Sequence, residues 1–304
     1  MYLPKLLEDK LKGIAHADPS LQTQEWLPLL NRQERRDFKV ENLALAKNQL
    51  FTANQNIPYE EVLEEIRAEM KAQGLDGFIV FRRDEFNNEY VPYCNDRLKF
   101  ATGFTGSAGA ALIMQDRAVL FTDGRYTLQA KEQSPHFEQE SIGKNAISQW
   151  LRKNFIEGGT LGIDARVISI SDDMNFRRVM RALGGKYQSI EDISPVDKVW
   201  NNRNRPPMPL SPVFEISDNV AGLSFFDKKK LIVDYLKKND YDCLVINDLP
   251  SIAWLLNWRG RDVPCTPIFL SYMVVSKAGS ISVFIDMIKV SDELQKSAAP
   301  KQIT

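Results

Sequence analysis

Two apolar patterns in this sequence repeat at one constant separation, and that repeat limits what the chain can fold into more than any other feature. Ile66, Met70, Leu75, Asp76 and the run Phe78-Ile79-Val80 recur as Ile232, Leu236, Tyr241, Asp242 and Leu244-Val245-Ile246, each pair 166 positions apart (232 minus 66). In both copies, apolar residues at four-residue spacing lead into a short continuous apolar run, as an amphipathic helix leads into a buried strand. Further on, Gly103 is matched with Gly260 in WRGRD, and Phe121-Thr122-Asp123 with Phe284-Ile285-Asp286, the second copy having shorter loops. Several matches in one order predict two copies of one α/β unit.

The bulk numbers are consistent with two such units. A chain of 304 residues, 43% hydrophobic and 26% charged, can bury two cores without covalent staples. With 39 Lys and Arg against 40 Asp and Glu, no excess positive charge attracts nucleic acid or an anionic membrane, so neither is an expected partner. Cys94, Cys243 and Cys265 are widely spaced and form no CxxC pair, which argues against a disulfide framework or structural zinc and for a reducing cytoplasm. No stretch approaches 18 apolar residues, and the N-terminal leucines are interrupted by charges, so neither a membrane span nor a signal peptide is expected.

Residues 1–56 read as a polar, charge-mixed helical arm broken at Asp18-Pro19, with Trp26, Leu27, Leu29 and Leu30 as an apolar anchor onto the main body or, less simply, a contact with another subunit. Residues 57–200 read as the first domain. Val62, Ile66 and Met70 place a helix after Pro58, with Gly74 ending it before the strand GFIVF. Residues 110–114 and 118–122 form a hairpin around a polar turn, TLQAKEQ and FRRVMRAL are helices, and LGID is a strand, so the sheet is mixed. Pro206, Pro207, Pro209 and Pro212 mark residues 201–214 as a linker, and residues 215–304 are the second domain, incomplete at its C-terminus.

The stretch GFTGSAG invites a phosphate-loop reading, but it lacks both GxGxxG spacing and a GK[ST] ending, and the residues after Gly109 are strand-like. Close packing at the start of a strand explains these glycines better. Ser107 has no neighbouring base, because the only histidines are His16 in the arm and His136, read as a surface residue near a helix end. The adjacent acidic pairs Asp84-Glu85, Asp172-Asp173 and Glu191-Asp192 read as solvated turns rather than metal ligands, and Asp123 as a helix cap beside Arg125. WRGRD suits either carboxylate binding or bracing of a domain boundary.

GFTGSAG, LFTDGRYTLQA, SPVDKVWNNRNRPPMPLSPVF, AGLS, SIAWLLNWRGRDVPCTPIFLSY and FID, taken together over about residues 58–290, closely resemble the N-terminal half of the aminopeptidase P (Xaa-Pro aminopeptidase) family. The resemblance implies an α/β fold of two similar creatinase/prolidase N-terminal-like domains, each a mixed sheet flanked by helices. In the family these domains are non-catalytic. They precede a C-terminal "pita-bread" domain that holds a dinuclear, usually manganese, site through two Asp, one His and two Glu. Those ligands and the catalytic histidines are expected beyond Thr304, so this chain is expected to carry no catalytic residue, cofactor or metal of its own.

The resemblance also implies that the segment DEFNNEY, similar to the family pattern DxHxSEY, approaches the substrate groove. Glu89, Tyr90 and Arg97 match the family and are the groove candidates together with Phe86, which departs from it by standing where a histidine is expected. Cys265 departs likewise within RGxDVPxxP. Arg97 is the residue named to meet a peptide carboxylate or carbonyl. The implied parent is an Xaa-Pro aminopeptidase acting on peptides with proline at the second position. Its partners would be the C-terminal catalytic domain and a second subunit in a homodimer. The rival reading is a stand-alone peptide- or protein-binding module, and a third is an assembly element that works through the arm.

Overall fold

The computed structural model describes residues 57–203 and 205–304, so the arm, with its Trp26 cluster and His16, lies outside the described residues. The described chain divides into two compact units, residues 57–89 with 94–205, and residues 206–304 with Tyr90–Tyr93. None of the described helices is long and apolar enough to cross a membrane.

The first unit is built on a six-stranded sheet in the order β4-β3-β2-β1-β5-β6. Helix α1 (Tyr59–Ala72) buries Val62, Leu63, Ile66 and Met70 along one face and leads into β1 (Gly77–Phe81), whose five residues are all buried. Helix α2 (Arg97–Thr102) precedes the hairpin β2 (Gly109–Met114) and β3 (Ala118–Thr122), which pair antiparallel. Next come α3 (Thr127–Gln133), β4 (Glu138–Ser141) parallel to β3, α4 (Ala146–Asn154), and β5 (Thr160–Asp164) parallel to β1. Helix α5 (Ile170–Ala182), edge strand β6 (Lys186–Ile190) and α6 (Pro195–Asn201) finish the unit. The sheet is mixed, as the hairpin between 110–114 and 118–122 requires. Its inward alternation divides the core in two. Phe78, Val80, Ala111, Ile113 and Leu120 pack beneath α1, α2 and α6, while Ile79, Phe81, Leu112, Val119 and Phe121 pack beneath α4 and α5.

The second unit repeats the opening of the first. It contains β7 (Phe214–Glu215), α7 (Asp218–Ala221), α8 (Phe225–Lys238), β8 (Cys243–Ile246), α9 (Leu249–Leu256), β9 (Trp258–Arg259), β10 (Tyr272–Ser276), β11 (Ile281–Phe284) and α10 (Asp292–Ala298). Its sheet runs β11-β10-β8, all antiparallel, and β7 pairs separately with β9. Helices α1 and α8 both have 14 residues and begin 166 positions apart (225 minus 59), as the sequence repeat demands.

Backbone conformation repeats where residue type does not. Gly74 after α1 (φ +70°) is answered 166 positions on by Asp240 (φ +53°), and both end their helix in the left-handed region. The matching of Gly103 with Gly260 is corrected by the same criterion. Gly103 caps α2 at φ +81°, and the residue that caps α9 in this way is Asn257, at φ +55°. Asn257 sits there because its side chain is fully satisfied, accepting from Lys228 Nζ at 2.5 Å and donating to Asp218 and the Leu223 carbonyl. Gly260 then corresponds to Gly106, three residues beyond each cap, and neither has a positive φ.

A Cβ at Gly103 would meet the Gln133 carbonyl oxygen at 2.6 Å, whereas one at Gly74 would meet nothing within 4 Å. Gly74→Ala is therefore expected to cost only the backbone penalty of about 1 kcal/mol, and Gly103→Ala about 2 kcal/mol or more, as read from urea midpoints. Equal losses would show that the Gln133 contact yields.

Candidate functional site

In open α/β sheets, ligands favour the carboxyl ends of parallel strands. In the first unit β1 and β5 are parallel neighbours, and their carboxyl ends carry the loop after Phe81 and Asp164 itself. Here the sequence DEFN is shaped by one buried carboxylate. Asp84 accepts the backbone N–H of Phe86 at 3.1 Å and of Asn88 at 3.0 Å, and the Asn88 side-chain amide at 2.7 Å. Asn87 takes φ +58° at the apex. This corrects the reading of Asp84 as a solvated turn residue: it is buried, and burial, outweighing its hydrogen bonds, raises its pKa. Glu85 points elsewhere, accepting from Arg97 Nη2 at 2.8 Å and from the Asn95 amide at 2.9 Å.

Beneath the loop lies a cluster of three carboxylates and three guanidinium groups. Asp197, in the first turn of α6 behind the Ser194 cap, accepts Arg97 Nε at 2.8 Å and Arg166 Nη2 at 2.5 Å, with Arg205 Nη1 at 3.1 Å. Asp164 is held by Arg166 in a bidentate pair at 3.0 and 2.7 Å. Arg205 donates Nε to the Cys94 carbonyl at 2.7 Å and lies 4.8 Å over the Trp200 ring, which stacks on Phe100. Burial alone would raise the pKa of Asp197, but Arg97, Arg205 and Arg166 together hold it below the usual carboxylate range. Burial pushes the Cys94 thiol up to about 12, which leaves it unreactive.

The four groove candidates occupy different environments. Arg97 is 3% exposed, and its Nε and Nη2 are taken by Asp197 and Glu85, while its buried Nη1 has no hydrogen-bond partner. Phe86 is half-buried, and Glu89 and Tyr90 are exposed, Tyr90 in the short stretch grouped with the second unit. Sequence reasoning missed Asp164, Arg166, Asp197 and Arg205. Asp197 follows Arg97 by 100 residues, so no local spacing announces the pair.

The glycine stretch serves packing. A Cβ at Gly106 would meet the Phe104 ring at 2.2 Å, β2 begins at Gly109, and Ser107 Oγ lies 3.0 Å from the Tyr126 hydroxyl. Asp123 caps the short turn Gly124–Tyr126 by accepting from Arg125 N, and its carboxylate also holds the Arg125 guanidinium. The acidic pair Asp172-Asp173 diverges: Asp172 goes to Arg83, and Asp173 to Arg177 and Tyr187. In WRGRD, Arg259 satisfies the Ala253 and Trp258 carbonyls, and Asp262 is buried against Lys289 Nζ at 2.7 Å. Cys265 is exposed in the left-handed region, at φ +59°.

A dinuclear metal does not fit this donor set. Asp164, Asp197 and Glu85 each carry a guanidinium where a cation would sit, and among the described residues no three His, Cys, Asp or Glu side chains converge to hold a metal ion.

Two family models decide what the chain is. Both are described as the creatinase/prolidase N-terminal domain, one matching residues 63–199 and the other residues 204–304. The chain belongs to the creatinase/prolidase N-terminal domain family. It is 34% identical over 236 residues to a probable Xaa-Pro aminopeptidase P of Laccaria bicolor, covering 76% of this chain and 36% of the relative. To Xaa-Pro aminopeptidase 1 of Dictyostelium discoideum it is 32% identical over 274 residues, covering 87% of this chain and 43% of the relative. The creatinase/prolidase domains described here thus span less than half the length of these relatives. The crystal structure of X-prolyl aminopeptidase from Caenorhabditis elegans, described as a cytosolic enzyme with a di-nuclear active site, matches at a TM-score of 0.75 and 26% identity, covering 82% of this chain and 42% of that one.

Removing the Asp197 carboxylate takes the Nε partner from the buried Arg97 and the ion pair from Arg205, while Glu85 and Asp164 still hold Arg97 and Arg166. Asp197→Ala should cost about 3–5 kcal/mol in chemical denaturation at pH 7. Because the folded pKa is depressed, the contribution is present above the unfolded carboxylate value, about 3.9, and is lost as pH falls through the folded one. The gap between Asp197→Asn and the unaltered chain should therefore narrow as pH is lowered below about 4, and a gap that widens there would overturn the assignment.

Proposed function

We propose that these residues are the non-catalytic N-terminal region of a metal-dependent, cytoplasmic Xaa-Pro aminopeptidase. The parent would remove the N-terminal residue from peptides with proline in the second position, and these domains would shape its substrate groove and admit only flexible chains. The observation that carries this reading is the loop after β1, ordered by Asp84 and held from below by Glu85 on Arg97. A loop so held presents Phe86 and Glu89 with little entropy left to lose on binding a peptide. Arg97 then acts as an anchor beneath the loop. The two metal ions, manganese by family resemblance, would be held in a further domain of the parent and would supply the hydrolytic chemistry at the bond before proline. The same parent is expected to assemble as a homodimer.

Phe86 supports a second reading, a stand-alone peptide- or protein-binding module of the same fold. A ring that neither donates nor accepts a hydrogen bond stands where a histidine is expected.

The pure chain, given Mn2+ and an Xaa-Pro peptide, should release no N-terminal residue, and measurable manganese-dependent release would overturn the proposal. In the whole enzyme, Glu89→Ala and Tyr90→Ala should raise KM several-fold with little change in kcat. Unchanged kinetic constants in both would remove these residues from the groove.

A further inference from the structure

The sheet of the first unit ends in two edge strands whose charges set them apart. Its order, β4-β3-β2-β1-β5-β6, leaves the outer sides of β4 and β6 without a strand neighbour among the described residues. An open edge is a template for another strand unless its side chains forbid the pairing. Strand β4 forbids pairing with a copy of itself, since a two-fold axis at Gln139 would set Glu138 against Glu140. Strand β6 does not. It runs from Lys186 through Tyr187, Gln188, Ser189 and Ile190 into Glu191 and Asp192, basic at one end and acidic at the other. Lys186, Glu191 and Asp192 are exposed and pair with no opposite charge among the described residues.

The backbone of β6 is divided between its two sides. Lys186 lies opposite Thr160 in the parallel register with β5, and its N–H donates to the Gly159 carbonyl at 2.9 Å. Alternate residues face the neighbour in such a ladder, so Lys186, Gln188 and Ile190 bond within the sheet while Tyr187 and Ser189 turn their N–H and C=O groups outward. The side chains alternate too. Ile190 packs into the core beneath α1 and α6, which puts Lys186 and Gln188 on that face with Asp192 next in the alternation. Tyr187 packs on the other face and donates its hydroxyl to Asp173 at 2.6 Å. A cleft of about 690 Å³ runs beside the edge, lined by Gln73, Gln188, Ser189, Glu191, Ile193 and Lys198, and gives room for a further strand.

We infer that β6 pairs with the β6 of a second copy of this chain, antiparallel about a two-fold axis at Ser189. In that register the outward backbone groups of Tyr187 and Ser189 supply the hydrogen bonds, and Lys186 of each copy stands opposite Asp192 of the other. Tyr187 stands opposite Glu191, which brings that acid toward Arg177, whose guanidinium lies 4.6 Å over the Tyr187 ring. The axis repeats each of these contacts. With roughly six residues on each side, the contact is smaller than a standard interface, so the dissociation constant is expected on the order of tens of micromolar. The inference concerns this edge alone and holds whatever reaction the protein serves.

Sedimentation equilibrium of the 304-residue chain tests it. The average mass should rise from monomer toward dimer between roughly 1 µM and 1 mM, and over the same range the amides of Tyr187 and Ser189 should gain protection from hydrogen exchange. Lys186→Asp and Asp192→Lys should each weaken association about tenfold or more, because each sets like charges opposite one another twice. An equimolar mixture of the two variants should recover it, since one copy then carries two acids and the other two bases at the paired positions. A chain still monomeric at about 1 mM, association that ignores both reversals, or a mixture no stronger than either variant alone would refute the inference. So would Tyr187 and Ser189 amides already protected in the monomer, because another segment would then occupy the edge.

Discussion

The first unit depends on how one buried carboxylate is shared. Asp197 takes hydrogen bonds from Arg97 and Arg166 and lies within ion-pair distance of Arg205, which start α2, follow β5 and end the unit, respectively. A carboxylate in that setting would be costly alone, and each guanidinium would be costly without it. Three acids against three bases leave the cluster neutral, so its burial costs far less than that of any lone member. It ties together segments that the sheet alone does not connect. Through Glu85 the same cluster reaches the loop at the carboxyl end of β1, so the shape of that loop is coupled to the position of α6.

Most of the fold was legible because it follows from local periodicity. The helix carrying Val62, Ile66 and Met70 and the hairpin around Gln115–Arg117 depend on neighbours within a few turns, and α8 was legible because it repeats the local pattern of α1. The mispairing of Gly103 with Gly260 shows the limit of such reading. Residue identity was followed, whereas the duplication preserved a left-handed backbone position, which Asn257 fills as well as glycine does once Lys228 and Asp218 satisfy its amide. Local pattern, then, specifies elements better than it specifies equivalence between them.

The site was less legible, for reasons of distance and solvation. Asp84 next to Glu85 looks like a hydrated turn, and nothing local indicates that one carboxylate turns inward to bind its own loop while the other reaches Arg97. Asp164 and Asp197 come together only when β5 and α6 have been placed, and no spacing rule connects them to Arg97. The motif that resembles Xaa-Pro aminopeptidases named Phe86, Glu89, Tyr90 and Arg97, and not Asp197 and Asp164, whose carboxylates lie around Arg97.

The depth of the charge cluster divides the protein's ion pairs by their response to ionic strength. Arg117 with Glu138 and Lys230 with Asp234 lie where water and mobile ions can approach, so their attraction weakens as salt is added. Asp197 and Arg97 are closed off from such ions. A loop anchored on the second kind of pair should keep its shape from dilute buffer to brine.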